Sequence, residues 1–482
     1  MAGEYGRMSA IFLCVNAMIA AGMLSLPFVF YHGGIVAGAT TFLVLAIPSI
    51  ASTEWTLEAM ARAEALYSWR ETGSYHWPQN CPISTNRKFE VGDLCRIFIH
   101  RSVGILYDVL VALAQFLSLC AYGNIAASAL ASVIPFGHDT LFRSCDTADF
   151  RNRIHPAIGG CWNSYAVCVA MFALIVIPLS CIKLQTQVVF QNFMGLLRLA
   201  VVLTMIFWSA ITPPLGDEDL AQRSWIDFNF QNWLAVFPLS IASLSMQFML
   251  PTFCQHVRDK SSLGFILKIA IAIVILLDVG LGIAAAFHFQ GDIVEMCTLN
   301  WYMYSKAGNS LFSRTLAYFL LLYPSMDLCS TYPLIATLGS NIFLALLQDA
   351  GVNTEARHFA LITRFCFATL PLIGSIYVAN TVVVSIFGGF LFILITLVIP
   401  SLLRIFSIKK CQTEWKSSRK AYFGTQKETV TLLENKQLQQ SDIRKTLYPP
   451  LIGRSDLLAY GTLLLGVMSL IPTVASWIVS KK

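Results

Sequence analysis

Long apolar segments recur along the whole chain and restrict what it can fold into. Of its 482 residues, 56% are hydrophobic and 12% are charged, whereas soluble globular domains carry about 25% charged residues. An α-helix that crosses a bilayer needs about 20 consecutive, mostly apolar residues. The sequence predicts eleven such helices, at 8–31, 35–56, 103–134, 162–182, 188–212, 231–253, 263–289, 311–347, 358–379, 381–405 and 457–479. The predicted fold class is therefore an all-α polytopic membrane protein.

The positions of the basic residues predict the orientation of the chain. Lys and Arg concentrate on the cytosolic side of membranes, and most of the 33 basic residues fall on one side if the N-terminus is cytosolic. The eleventh helix then leaves the C-terminus extracellular or lumenal. Cytosolic loops account for the formal charge of +6, so nucleic acid is not an expected partner. A plasma membrane and a vacuolar or lysosomal membrane both fit this pattern.

Two of the predicted helices are interrupted near their centres. Helix one carries Ala20-Ala21-Gly22 and then Pro27, and helix six carries small polar residues between Pro238 and Pro251. Bare backbone groups in hydrocarbon are costly, and transporters use broken helices at mid-depth to hold solutes; a proline kink alone is the other explanation. The paired breaks predict, within a single transmembrane domain spanning 1–482, two five-helix repeats at 8–212 and 231–405, a cytosolic linker at 406–456 and an eleventh helix at 457–479.

The first interrupted helix carries a recognisable motif. Residues 16–28 read NAMIAAGMLSLPF, which resembles the helix-one signature of the amino acid/auxin permease family. Further similarity lies in Pro251-Thr252-Phe253, Tyr323-Pro324, Tyr332-Pro333-Leu334 and the step from Val378 to Gly389. Where many relatives have Cys-His-Pro, this chain has Ser245-Met246-Gln247. The resemblance spans 8–479 and implies a LeuT-like 5+5 inverted repeat plus an eleventh helix, transporting amino acids by alternating access.

The breaks supply the candidate substrate-binding residues. An amino acid zwitterion needs donors for its carboxylate and acceptors for its ammonium group, and a discontinuous helix offers both N–H and C=O groups. We expect the substrate to contact Asn16, Ala20, Ala21, Gly22 and Met23 in helix one and Ala242, Ser243 and Ser245 in helix six. Tyr122 in helix three is the candidate gate.

Ionisable residues inside apolar helices supply candidates for cation coupling, because such residues are costly and usually face a cavity. The implied fold has a cation site between helices one and eight, where Asp327, Ser330 and Thr331 of helix eight are candidates. Arg198 in helix five and Asp278 in helix seven are the other ionisable candidates. Oxygen ligands suit Na⁺, and a buried carboxyl group suits a proton. Arg198 favours the proton because a guanidinium can act as a fixed cation. Snorkelling of Arg198 and purely structural pairing of Asp278 are the alternatives.

Cysteines and motifs limit the remaining possibilities. Of the 13 cysteines, Cys145 and Cys161 share the loop between helices three and four, where a disulfide can form if that loop is on the oxidising side. The sequence carries no metal-binding spacing and no hydrolase or phosphate-loop motif, so we expect neither an enzyme nor a cofactor beyond the coupling proton or sodium ion. The expected partners are the amino acid substrate and the lipid bilayer, and the oligomeric state is open. An amino-acid sensor on the same fold and a transporter of cationic amines are the alternative functions.

Overall fold

The computed structural model describes residues 6–19, 21–72, 83, 87–137, 141, 143–145, 161–182, 188–214, 228–305, 309–352, 354, 357–377, 381–423, 448 and 456–480. These residues form helices and no β-strand. In chain order the helices are α1 Arg7–Met18, α2 Leu26–Gly33, α3 Ile35–Thr72, α4 Val91–Phe98, α5 Arg101–Val133, α6 Trp162–Cys181, α7 Val188–Ile211, α8 Phe230–Trp233, α9 Val236–Ser243, α10 Leu250–His256, α11 Leu263–Phe289, α12 Leu311–Asp349, α13 Arg357–Tyr377, α14 Thr381–Ile393, α15 Ile399–Phe423 and α16 Asp456–Ser480.

Each predicted membrane segment coincides with one helix or with a helix divided into pieces. Eight helices of the described chain are long and apolar enough to cross a membrane, judged by length and composition. Three predicted helices are not among these eight. Helix one (α1 and α2) and helix six (α8, α9 and α10) are each divided into shorter helices, and the apolar stretch Asp456–Ile471 of helix eleven is shorter. The protein is therefore an integral, multi-pass membrane protein, and its division into two inverted repeats stays a prediction.

Two helices are longer than their apolar segments. Helix α3 continues beyond residue 56 to Thr72, and residues 406–423 of the predicted 406–456 linker are helical and belong to α15. Polar contacts hold these extensions in place: Arg62 of α3 donates to the Ser407 hydroxyl at 3.1 Å, and Lys410 donates to the carbonyl oxygen of Ile97 at 2.5 Å. Apolar length alone could not predict them, because polar side chains with tertiary partners continue the helix.

The same end of the bundle contains a buried group of charges. The Glu58 carboxylate accepts a hydrogen bond from Arg404 and lies 3.4 Å from Arg62, and all three side chains are almost completely buried. Charges withdrawn from water require close opposite charge and hydrogen bonds. Glu58 therefore joins α3 to α15, and burying either arginine without this carboxylate would be costly.

The helices pack in two sets joined by α7. In the first set, α5, α6, α12 and α13 contact one another; in the second, α1, α2, α3, α9 and α11 do. Helix α7 contacts α1 and α11 on one side and α12 on the other. The broken helix one therefore lies in the second set, with α7 beside it and α12 across from it.

An ion pair joins the N-terminal end of α1 to the loop between α10 and α11. Arg7 donates to Asp259 at 2.5 and 3.1 Å. Hydrogen bonds from Ser261 and from Arg7 lower the pKa of Asp259 to about 2. A lowered folded-state pKa stabilises the fold above the ordinary Asp value and loses that effect as the pH falls towards 2. The contact between the ends of both broken helices thus persists at neutral and mildly acidic pH.

A disulfide joins the loop ends near α5 and α6. Cys145 and Cys161 are bonded, with their Cα atoms 5.4 Å apart. Both residues are buried, and the Cys145 backbone N–H also donates to the carbonyl oxygen of Ala131 at 3.1 Å. The bond therefore attaches the start of α6 to the end of α5.

A pair of adjacent glycines tests how tightly α14 packs on broken helix six. A Cβ at Gly389 would lie 2.2 Å from Cβ and 2.8 Å from Cα of Pro238, whereas a Cβ at Gly388 would meet nothing within 4 Å. We expect Gly389→Ala to destabilise the protein by about 1–3 kcal/mol through overpacking. Gly388→Ala is the matched control and should be neutral or stabilising by up to about 1 kcal/mol through helix propensity. Thermal unfolding of both variants in detergent measures the difference, and equal melting temperatures would contradict the packing described.

Candidate functional site

Arg198 of α7 lies at the centre of the candidate site and is 2% exposed. Its Nε and Nη2 atoms donate to Oδ1 of Asp327 at 2.9 and 2.6 Å, and Nη2 also donates to Oγ1 of Thr331 at 2.7 Å. Its Nη1 atom donates to the backbone carbonyl oxygens of Asn16 and Ile19. The guanidinium therefore bridges α12 and the end of α1, and it does not reach an interface by snorkelling.

These contacts use the whole hydrogen-bonding capacity of the arginine. A guanidinium has five N–H donors, and each has an acceptor here. The carbonyl groups in the last turn of a helix lack intrahelical partners and carry partial negative charge. Arg198 satisfies the carbonyls of Asn16 and Ile19 at the break and balances the charge of Asp327. A fixed protein cation thus lies between helix one and α12, which is the predicted helix eight, at the place where the sequence predicts a cation site.

A cavity adjoins this arginine. It comprises about 290 Å³ of space between atoms, including the part that is open to solvent. Its polar lining consists of Arg198, Asp327 and Tyr323. The remaining lining residues are apolar: Ile19, Met23, Leu24, Ile125, Pro324 and Leu328. A solute in this cavity would meet one carboxylate, one phenol and an apolar wall.

The predicted substrate-binding residues of helix one have different structural roles at this break. Met23 lines the cavity, while Ala21 and Gly22 begin a 3-10 turn at Ala21–Ser25. Ala20 lies outside the described residues. Asn16 contributes its carbonyl oxygen, and its side chain packs against Gly195, where a Cβ would be 3.3 Å from that side chain. A side chain at position 195 would therefore have to displace Asn16 by a few tenths of an ångström.

The nominated residues on the other helices do not all meet at the cavity. Ser330 donates its hydroxyl to the backbone carbonyl of Asp327 at 2.8 Å, which is a local helix contact. Tyr122 is buried at 6% exposure on α5, but the cavity is lined by Ile125 of that helix. The phenol at the cavity belongs to Tyr323, a residue of the family motif that was not among the predicted site residues. Its spacing of four residues from Asp327 places both side chains on one helix face.

The nominated residues of helix six form a separate cluster. The Ser243 hydroxyl, at the end of α9, donates to Oδ2 of Asp278 in α11. The Ser245 hydroxyl donates to the carbonyl oxygen of Ala242 at 2.9 Å. The structure thus divides the candidates into an Arg198 cluster at helix one and an Asp278 cluster at helix six.

Sequence reasoning missed the residues that hold the helix-six break open. The Gln247 side-chain oxygen accepts from the Met246 backbone N–H at 3.0 Å, and its amide nitrogen donates to the hydroxyls of Ser52 and Thr53 at 2.7 and 3.1 Å. The Ser49 hydroxyl donates to the Leu244 carbonyl oxygen at 2.9 Å. The available signal was the spacing of 49, 52 and 53, which places three hydroxyls on one face of an apolar helix. Neutral side chains of α3 therefore satisfy this break.

Comparison with known proteins agrees with this architecture. The profile of a family described as "Transmembrane amino acid transporter protein" matches residues 4–433, so the chain belongs to that family. It is 23% identical to "Transmembrane protein 104 homolog" of Drosophila melanogaster over 427 residues, covering 77% of this chain and 81% of that protein. It is 22% identical to "Transmembrane protein 104" of Homo sapiens over 447 residues, covering 79% and 83%. The family is one of transporters and not of enzymes.

A double-mutant cycle tests whether Arg198 and Asp327 act as one unit. Removing one member of a buried ion pair leaves the other uncompensated and costs about 3–5 kcal/mol. We expect Arg198→Met and Asp327→Leu each to destabilise strongly and the double variant to lose less than their sum by about 1–3 kcal/mol. Unfolding in mixed detergent and SDS micelles measures the free energies.

Thr331→Val provides the matched control for this cycle. It removes one acceptor of Arg198 without creating a lone charge, so its cost should be about 0.5–3 kcal/mol. Strictly additive losses in the Arg198 and Asp327 variants would show that the two side chains are not coupled.

Proposed function

We propose that the protein is a secondary active transporter that moves neutral amino acids across a membrane by alternating access, coupled to protons in preference to sodium ions. The observation that carries the proposal is the Arg198 guanidinium, which donates five hydrogen bonds between the helix-one break and α12. A cation that is permanently charged stands where a transported metal cation would otherwise bridge carbonyls and carboxylate. In this proposal Arg198 takes the position that a coupled Na⁺ ion would need.

The polar lining of the cavity supports a zwitterionic substrate. Both hydrogen bonds from Arg198 to Asp327 end on Oδ1, which leaves Oδ2 for an ammonium group at the cavity. The carbonyls of Asn16 and Ile19 are occupied by Arg198, so they are not the ammonium acceptors that an unpaired break would offer. Backbone N–H groups of the 3-10 turn at Ala21–Ser25 are the candidate donors for the carboxylate.

The rest of the cavity supports a neutral side chain on that substrate. Apart from Arg198 and Asp327, which neutralise each other, the residues lining the cavity carry no formal charge. A cationic amine would find a carboxylate already paired, so this alternative is disfavoured. Ile19, Ile125 and Leu328 would contact an aliphatic or thioether side chain, and burial of such a chain is worth about 25 cal/mol per Å².

Reconstituted transport tests the proposal. Purified protein in proteoliposomes receives a labelled mixture of alanine, leucine and methionine under an inward proton gradient, an inward sodium gradient or no gradient. We expect accumulation only with the proton gradient, abolished by a protonophore and absent from empty vesicles. Accumulation driven by sodium would overturn the choice of ion. Binding without accumulation under any gradient would overturn transport and favour an amino-acid sensor, and uptake of labelled putrescine instead would favour the cationic amine.

Asp327→Asn should impair transport by disturbing both Arg198 and the proposed ammonium site. We expect uptake to fall by roughly tenfold or more, equivalent to at least about 1.4 kcal/mol of lost interaction. Ser340→Ala is the matched control, because this hydroxyl of the same helix donates to the carbonyl oxygen of Thr337 at 2.9 Å and Ser340 does not line the cavity, and it should keep wild-type uptake. Normal uptake by Asp327→Asn, at equal protein per vesicle, would remove Asp327 from the site.

A further inference from the structure

A second buried carboxyl group lies at the other helix break. Asp278 of α11 is 0% exposed. Its Oδ2 accepts the hydrogen bond from Ser243, while Oδ1 has no hydrogen-bond partner in the described part of the chain. Asp327 has a guanidinium beside it, and Asp278 has only a hydroxyl. Asp327 and Asp278 therefore have different electrostatic environments.

The charged and titratable groups near α11 have other partners or lie elsewhere. On the elements packed against α11, and on α11 itself, the described side chains of this kind are Arg7, Cys14, Tyr31, His32, Glu54, Glu58, Arg62, Glu64, Tyr67, Arg198, Lys260, Lys268, His288 and Asp292. Arg7 pairs with Asp259, Lys268 with Glu54, and Arg198 with Asp327. Within the described residues, no ion pair reaches Asp278, and α9, which supplies Ser243, carries no ionisable residue.

Asp327 and Asp278 differ in what it would cost each of them to change its protonation state. An ionised carboxylate buried without opposite charge costs several kcal/mol, whereas a neutral carboxyl group can be buried at far lower cost. Protonating Asp327 would leave Arg198 as an uncompensated buried cation. Protonating Asp278 leaves no charge behind. The group able to change its charge at low cost is therefore the one at helix six.

We propose that Asp278 is the residue that takes up and releases the proton coupled to amino acid transport, an inference that rests on the proposed function. A proton from water on one side of the membrane forms the O–H bond at the Asp278 carboxylate, and the same bond breaks to return a proton to water on the other side. The neutral carboxyl group is compatible with the closed contact to Ser243 at the end of α9. Ionisation requires water to reach the break, which ties proton release to movement of helix six.

The position of the carboxyl group makes this coupling direct. Helix α9 ends at Ser243, and the chain turns until α10 begins at Leu250. The hydroxyl at this last helical residue is the described contact of Asp278. A rotation of α9 away from α11 would remove that hydrogen bond and open the carboxyl group to water. An ionised Asp278 and the closed position of α9 against α11 therefore exclude each other.

The test compares two transport modes of Asp278→Asn in proteoliposomes. The probe is the same labelled mixture of alanine, leucine and methionine. Accumulation under an inward proton gradient should fall to the level reached without a gradient, because asparagine cannot exchange the proton. Exchange of external label for internal unlabelled amino acids needs no net proton movement and should stay within about twofold of wild type, a change of only about 0.4 kcal/mol. The Asp327→Asn variant should instead lose both modes.

Asp278→Glu keeps the carboxyl group and supplies the second readout. It should retain proton-driven accumulation with a shifted pH profile of uptake. If Asp278→Asn does not yield folded protein by size-exclusion chromatography, this variant decides: a pH profile identical to wild type would overturn the inference.

The outcomes separate this inference from the proposed function. Failure of the wild-type protein to accumulate any labelled amino acid under the proton gradient would overturn the proposed function itself. Wild-type accumulation together with equal accumulation by Asp278→Asn would overturn only the role of Asp278. Loss of accumulation with retained exchange would support it, since a merely structural role of the carboxyl group would impair both modes.

Discussion

The cost of bare backbone groups inside a membrane is the constraint on which the remaining structure depends. Helix one ends at Met18 and resumes at Leu26, so carbonyl groups at mid-bundle lack intrahelical partners. Arg198 satisfies two of them with one charged group. That solution itself requires a counter-charge, which Asp327 provides, and a close approach of α1 to α7, which Gly195 permits. Removing Arg198 or Asp327 leaves the other buried charge without its partner.

At the break in helix six, uncharged side chains provide the hydrogen bonds to the backbone groups. Gln247 supplies an acceptor to the unwound backbone, while Ser49 supplies a donor to it. Ser52 and Thr53 orient the Gln247 amide through their own hydroxyls. A charged group binds its carbonyls strongly and resists rearrangement, whereas neutral hydrogen bonds of about 1 kcal/mol each can be exchanged with water. The two breaks therefore differ in the strength of the contacts that satisfy them.

The contrast extends to the two acidic residues. Asp327 is neutralised by a partner that never loses its charge, and both groups line the cavity. Asp278 is held by one hydroxyl at the end of α9. In the proposed mechanism the substrate site keeps its charge during the cycle, while the charge of the coupling site varies. Separate carboxyl groups at separate breaks allow both without changing the charge of the substrate site during each cycle.

The sequence by itself determined the apolar segments, the interruptions in helices one and six and the family motif, because apolar length, glycine and proline act on residues close in the chain. It also placed Arg198 and Asp327 inside apolar helices, but not beside each other, since 129 positions separate them. Only the tertiary structure decided that Arg198 binds the carbonyls of helix one, that Asp278 faces Ser243, and that Gln247 reaches α3 across 195 positions. It also decided that α3 and α15 continue beyond their apolar segments, where Arg62 and Lys410 find partners on other elements. Such contacts depend on how helices pack, and packing between distant segments leaves no local pattern in the chain.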